Sequence, residues 1–140
     1  MNAETSAMYA PLIEKLTDEQ QEALDVALAV DPAEITVTIL AVDEDGTPVG
    51  HAALRPFERD LEVKKVFVPQ NHRGTGISKL MMLALEDIAR ERGVDALILQ
   101  TGELQTPAIA LYLKLGYLPV PAYGRYAAVP FGLCYRKVLD

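Results

Sequence analysis

Residues 61–92 read LEVKKVFVPQNHRGTGISKLMMLALEDIARER, and the fold turns on this stretch. Val63, Val66, Phe67 and Val68 are β-branched or aromatic, so residues 61–68 are expected to form a strand. Pro69 ends it, and a polar run carries the chain into a turn bearing Gly74 and Gly76. Glycine frees the backbone there and lets a ligand approach without meeting a Cβ. Ile77, Leu80, Met81, Ala84, Leu85 and Ile88 recur at i, i+3, i+4 spacing, which predicts a long amphipathic helix. Gly93 stands at its C′ position, with Arg90 and Arg92 in the last turn, where the helix dipole favours cations. A strand, a glycine turn and a helix start together make an anion site, because the first N–H groups of a helix lack internal partners.

Two common anion motifs are absent. The phosphate loop of NTPases needs G-x-x-x-x-G-K-[ST], whereas here Lys79 follows Ser78; the dinucleotide fingerprint G-x-G-x-x-G would need glycine at position 79. What stands instead is R-x-x-G-x-S, over Arg73, Gly74, Thr75, Gly76, Ile77 and Ser78.

Upstream, Ile35, Val37 and Ile39 alternate with Thr36 and Thr38 in a strand reaching Val42. Glu44-Asp45-Gly46 reads as a tight turn, and residues 47–54 return as its partner until Arg55-Pro56 ends the run. Residues 57–60 then bridge to the central strand. Residues 1–34 are expected to be helical: Thr17 and Gln20 fit a capping box opening a helix over about 18–30, and residues 9–16 suit a shorter one. Downstream, residues 95–101 (DALILQT) are nearly continuously apolar, as in a strand buried on both faces. The intervening helix makes that strand a parallel neighbour of residues 61–68 in a right-handed βαβ unit. Such a parallel pair can splay and leave backbone groups for a ligand. Thr106-Pro107 opens another helix, with Ala108, Leu111, Tyr112 and Leu115 on one face, which ends at Gly116. Residues 117–120 and 133–138 read as closing strands.

The 140 residues carry a formal charge of −7; half are hydrophobic and about a quarter charged. That suits one globular domain over 1–140, with a helical part over about 1–34 and a core over 35–140. The acidic balance disfavours nucleic acid, which needs surplus Lys and Arg, and is compatible with a cationic substrate. Cys134 is the only cysteine and His51 and His72 stand far apart, so no metal site is expected. Without a long apolar run or a basic, apolar leader, no membrane span is expected and a cytoplasmic location is the default.

The turn over residues 73–78 closely resembles the R/Q-x-x-G-x-G/A pyrophosphate turn of the GNAT superfamily of N-acetyltransferases, with Ser78 where glycine or alanine is usual. Ala108 to Tyr117, AIALYLKLGY, looks like the A-x-x-L-Y-x-k-x-G-[FY] segment of the same superfamily. Together with the order of elements, the resemblance covers residues 35–138 and extends to a subgroup of small bacterial acetyltransferases. It implies an α/β (α+β) GNAT fold: a central mixed, mostly antiparallel twisted sheet with a splayed parallel strand pair and flanking helices. It further implies acetyl-CoA as co-substrate, its pyrophosphate over Arg73, Gly74, Thr75, Gly76, Ile77 and Ser78, and its pantetheine arm along Val66, Phe67 and Val68. Gln105 stands where the family often carries an asparagine.

Acetyl transfer needs a neutral amine to attack the thioester. An amine of pKa about 10.4 is neutral only about once in 2,500 molecules at pH 7, and one of pKa about 7.8 roughly once in seven. Glu62 stands where some family members carry a general base; Glu103 is the competing carboxylate, and an ordinary strand residue is the plain alternative at 62. Tyr112 matches the tyrosine that assists the departing thiolate in the family, its alternative being a core aromatic. His51, Arg55, Lys64, Glu103, Tyr123 and Tyr126 are further candidates for an acceptor pocket. The expected reaction is acetyl transfer to a primary amine of a small molecule or peptide. A non-catalytic acyl-CoA-binding or sensing module and a longer-chain acyltransferase are the competing readings, and a homodimer remains open.

Overall fold

The computed structural model describes residues 3–129 and 131–140. Its strands are β1 (Val37–Val42), β2 (Pro48–Phe57), β3 (Asp60–Phe67), β4 (Ala96–Gly102), β5 (Leu118–Val120) and β6 (Gly132–Val138). Its α-helices are α1 (Ala3–Ile13), α2 (Asp18–Leu28), α3 (Ile77–Glu91) and α4 (Thr106–Lys114). The strands form one mixed sheet in the order β1-β2-β3-β4-β6-β5, with β1, β2 and β3 antiparallel in turn and β3 parallel to β4. The chain divides into two compact units: Asp31–Leu99 with Arg136–Asp140, and Met1–Val30 with Gln100–Tyr135.

In the unit built on Asp31–Leu99, local chemistry explains most boundaries. The Asp43 carboxylate accepts from the N–H groups of Asp45 and Thr47, both at 2.9 Å, and Gly46 supplies φ +80° to close the first hairpin. The second strand does not end at Arg55-Pro56 but runs to Phe57, where a two-residue turn leads straight into β3. The Thr36 N–H donates to Leu54 O, so Pro56 turns its missing N–H to the same side, beyond the last β1 partner, where no ladder bond is lost. Helix α3 packs on β2 at Gly50, where a Cβ would stand only 3.0 Å from Ile77 and Met81 side-chain atoms. Its buried stripe is Met81, Met82, Leu85, Glu86 and Ala89, which leaves Leu80, expected inside, 67% exposed. The helix ends as expected: Gly93 takes φ +72° and the Val94 N–H returns to Ala89 O.

In the other unit, the capping box of α2 is complete, with Thr17 Oγ1 accepting from Gln20 N and Gln20 Oε1 from Thr17 N. Helix α1 begins well before residue 9 and contains Pro11. Leu24 and Ala27 of α2 pack with Tyr126, Val129 and Cys134 into an apolar cluster. Among the described residues no helix is long and apolar enough to cross a membrane.

Candidate active site

The turn after β3 has the form its sequence required. Gly74 and Gly76 adopt φ +75° and +86°, a region that favours glycine, and a Cβ on either would meet nothing within 4 Å. Backbone conformation, not crowding by the chain, therefore demands glycine, and the space above the turn is open. Gly76 is the N-cap of α3 and brings no side chain to the first-turn N–H groups; the first helical bond runs from Leu80 N to Gly76 O at 3.1 Å. The N–H groups of Ile77, Ser78 and Lys79 thus fall in the part of the helix that no internal acceptor serves. Arg73 folds back, its Nε donating to Val68 O at 2.9 Å and its guanidinium 5.9 Å from the Phe67 ring centroid. Thr75 Oγ1 donates to His72 O. An open, doubly left-handed turn at a helix start fits a diphosphate.

Strand β3 carries an irregularity that the sequence did not announce. Lys65 takes φ +53°, and the register with β2 shifts between the pairs Ala53↔Lys64 and His51↔Phe67. One extra β3 residue is accommodated there, a bulge. His51 Nδ1 lies 2.8 Å from Lys65 O, so the imidazole braces the bulged peptide. The β3–β4 ladder covers only Leu61↔Leu97, Glu62↔Ile98 and Val63↔Leu99, although β3 continues to Phe67. Val66 is half-buried, Phe67 is 40% exposed and Val68 is buried.

Arg55 and Glu62 are directly paired across β2 and β3, and Arg55 Nε donates to Glu62 Oε1 at 2.6 Å. Both are buried, Glu62 at 1% exposure, and Glu34 lies 3.7 Å from the other side of the guanidinium. Lys64 is half-buried on the same strand.

The remaining candidates belong to the other unit. Tyr112, on α4, is 7% exposed, and its ring meets that of Tyr117 edge-on at 5.9 Å. Burial pushes its phenol up to about 12. Gln105 is the N-cap of α4 but makes no side-chain cap, and Glu103 is exposed in the turn before it. Tyr123 and Tyr126 meet edge-on at 5.1 Å, with Tyr126 inside the apolar cluster. Sequence reasoning passed over Tyr9 of α1, which is 2% exposed and accepts the Leu104 N–H at 2.8 Å. Nothing in its own neighbourhood along the chain marks it, because its partners lie more than 90 residues away. Among the described residues no three His, Cys, Asp or Glu side chains are grouped to hold a metal ion.

Comparison with known proteins accords with these features. The chain is 33% identical to the IAA acetyltransferase of Azospirillum brasilense over 123 residues, covering 86% of this chain and 78% of that protein. A crystal structure from Klebsiella pneumoniae, provisionally assigned as an acyl-CoA N-acyltransferase, superposes with a TM-score of 0.72 at 32% identity, covering all of this chain and 92% of that one. A Bacillus anthracis structure, provisionally a streptothricin acetyltransferase and solved with acetyl coenzyme A, shares the fold at a TM-score of 0.66 and 14% identity, over 79% of this chain and 67% of its own. The model of the acetyltransferase (GNAT) family matches residues 2–117, and the chain belongs to that family.

Proposed function

We propose that the chain acts as a single acetyltransferase domain that moves an acetyl group from acetyl-CoA to a primary amine of a small molecule or peptide. The observation that carries this reading is the turn at Gly74 and Gly76, whose left-handed glycines open a helix start toward free space. A diphosphate there would receive the N–H groups of Ile77, Ser78 and Lys79, at the positive end of the α3 dipole. Arg73 adds a cation, and the backbone of Val66, Phe67 and Val68 is proposed to pair with the pantetheine arm.

In the reaction the amine nitrogen attacks the thioester carbonyl, the C–S bond breaks, and the amine loses one proton. We assign that proton to Glu62. Arg55 Nε donates to one carboxylate oxygen, which fixes the orientation of the group. At 1% exposure the carboxylate is best served through a single ordered water, a distance general base catalysis tolerates. Tyr112 is assigned to the departing sulfur. Moving a proton from a phenol at about 12 to a thiolate of pKa about 8.5 is uphill by roughly 5 kcal/mol. Its part is therefore a hydrogen bond to the thiolate, with the proton arriving from solvent or returned from the protonated Glu62 carboxyl.

The test is release of free CoA thiol from acetyl-CoA across a panel of α-amines, lysine-type amines and polyamines, beside calorimetric CoA binding. Turnover of at least one amine supports the reading. CoA binding with no turnover on any of them would assign the chain to acyl-CoA sensing instead.

A further inference from the structure

We propose that Tyr9 of α1 is a positioning residue for the reaction: its hydroxyl and ring fix residues 102–105, so that the Glu103 carboxylate is held to receive the ammonium form of the acceptor. The proposal rests on the acetyl-transfer reading above. Tyr9 is the one fully buried side chain among the described residues of α1, so the helix is anchored through it. Its hydroxyl accepts the Leu104 N–H at 2.8 Å, and its ring stacks on Phe131 with centroids 5.1 Å apart. Phe131 O accepts the Glu103 N–H at 3.1 Å, and the Gln105 N–H returns to Gly102 O at 3.0 Å. Every N–H from 103 to 105 is thus taken, and Tyr9 and its stacking partner take two of the three.

Position 102 shows the same clamp from the other side. A Cβ on Gly102 would run into the Tyr9 hydroxyl, so glycine is required there by space and not by backbone angle. A phenylalanine at position 9 would fill the core and stack equally well. The hydroxyl serves only the loop. Its pKa is raised, chiefly by burial and further by the Glu103 charge, which sets that carboxylate close to the clamp while its side chain stays exposed. An exposed carboxylate on a loop whose three N–H groups are all bonded is a ready partner for a cation, and most amine acceptors are cations until they react.

Steady-state constants of Tyr9→Phe, Glu103→Gln and the double variant test this, with the best amine of the panel and with acetyl-CoA varied separately. Glu103→Gln is expected to raise the KM for the amine about tenfold, and Tyr9→Phe roughly fivefold, what one hydrogen bond of ordinary net strength gives. The KM for acetyl-CoA should hold in both. The double variant should be no worse than Glu103→Gln alone, since Tyr9 acts through that residue. Hydrogen exchange at the Leu104 amide should quicken in Tyr9→Phe. A Tyr9→Phe enzyme with a lower Tm but an unchanged amine KM overturns the positioning role and leaves a packing role. An unchanged amine KM in Glu103→Gln overturns the acceptor role of the loop while acetyl transfer stands. A parent that turns over no amine overturns both.

Discussion

Glu62 and Glu86 are two carboxylates with the same burial, each 1% exposed, and each with a cation in contact. Glu62 sits on β3 opposite Arg55 of the neighbouring strand, at 2.6 Å. Glu86 sits on the buried stripe of α3 and receives Lys137 Nζ of β6 at 2.8 Å, with Arg90 at 3.8 Å one helical turn on. Arg90 in turn reaches Asp140 at 3.3 Å, so the Glu86 cluster ties the end of β6 to the helix. Burial and pairing alone therefore do not tell the two apart. What separates the two is the partner's grip and its setting. A guanidinium on the adjacent strand holds one Glu62 oxygen on the same strand that leads to the bulge and the glycine turn. A flexible lysine holds Glu86 where the chain needs an anchor.

The sharpest way to break this comparison is to neutralise both carboxylates. Glu62→Gln is expected to lower kcat at pH 7 by roughly 10²–10⁴-fold, the range of general base catalysis, with CoA binding intact. The defect should shrink as pH rises, because the amine then deprotonates unaided. Glu86→Gln should leave the shape of the pH–rate profile as in the parent. Equal pH-dependent defects in both variants would erase the distinction, and a Glu62→Gln enzyme of parental activity would turn attention to Glu103.

The next effect is on stability. Removing one partner of a buried ion pair strands the other charge, which costs about 3–5 kcal/mol in the general case. For Lys137→Met the loss should be smaller, about 2–3 kcal/mol, since Arg90 still faces Glu86. Urea unfolding would show it as a lower midpoint at unchanged slope, with kcat near the parent. A large fall in kcat with no loss of stability would make the Glu86 cluster part of the chemistry.

How much of this was legible along the chain follows from the range of each interaction. The glycine turn, the capping box, the Gly93 terminus and the hairpin at Asp43 are set by neighbours a few residues apart, and the sequence displays them. Glu86 looked like any helical glutamate, because Lys137 lies 51 residues away. Tyr9 is silent for the same reason. The Lys65 bulge has no residue signature, since glycine or asparagine would announce a positive φ and lysine does not. The continuation of β2 through Pro56 depends on where β1 stops, which is also a matter of register. The family resemblance suggested the roles proposed for Glu62 and Tyr112, and local chemistry alone announced the strand that carries the first and the helix that carries the second.

A smaller effect separates the proposed base from the proposed cofactor turn. Gly76→Val forces a β-branched residue into φ +86° and sets methyl groups in the space over the helix start. The KM for acetyl-CoA should rise about tenfold or more, as for one lost charge-assisted hydrogen bond. The pH–rate profile should keep the shape of the parent's. If KM holds, the diphosphate lies elsewhere.

The smallest expected effect belongs to Tyr112. If its hydroxyl supports the thiolate, Tyr112→Phe removes a hydrogen bond to sulfur, a weak acceptor, and kcat should fall roughly fivefold. Because burial holds the phenol near 12, it stays protonated from pH 6 to 10, and the deficit should be flat across that range, unlike the Glu62→Gln deficit. A second signature follows from the same shift. The folded pKa is raised above the ordinary value of 10, so the protonated phenol's contribution to stability is complete below pH 10 and is lost as pH rises from there through about 12. Tyr112→Phe removes that titration, and the variant should lose less stability than the parent over the same alkaline interval. Alkaline tolerance with parental kcat would make Tyr112 a packing residue against Tyr117. Alkaline tolerance with a flat, severalfold lower kcat would place its hydroxyl at the leaving sulfur.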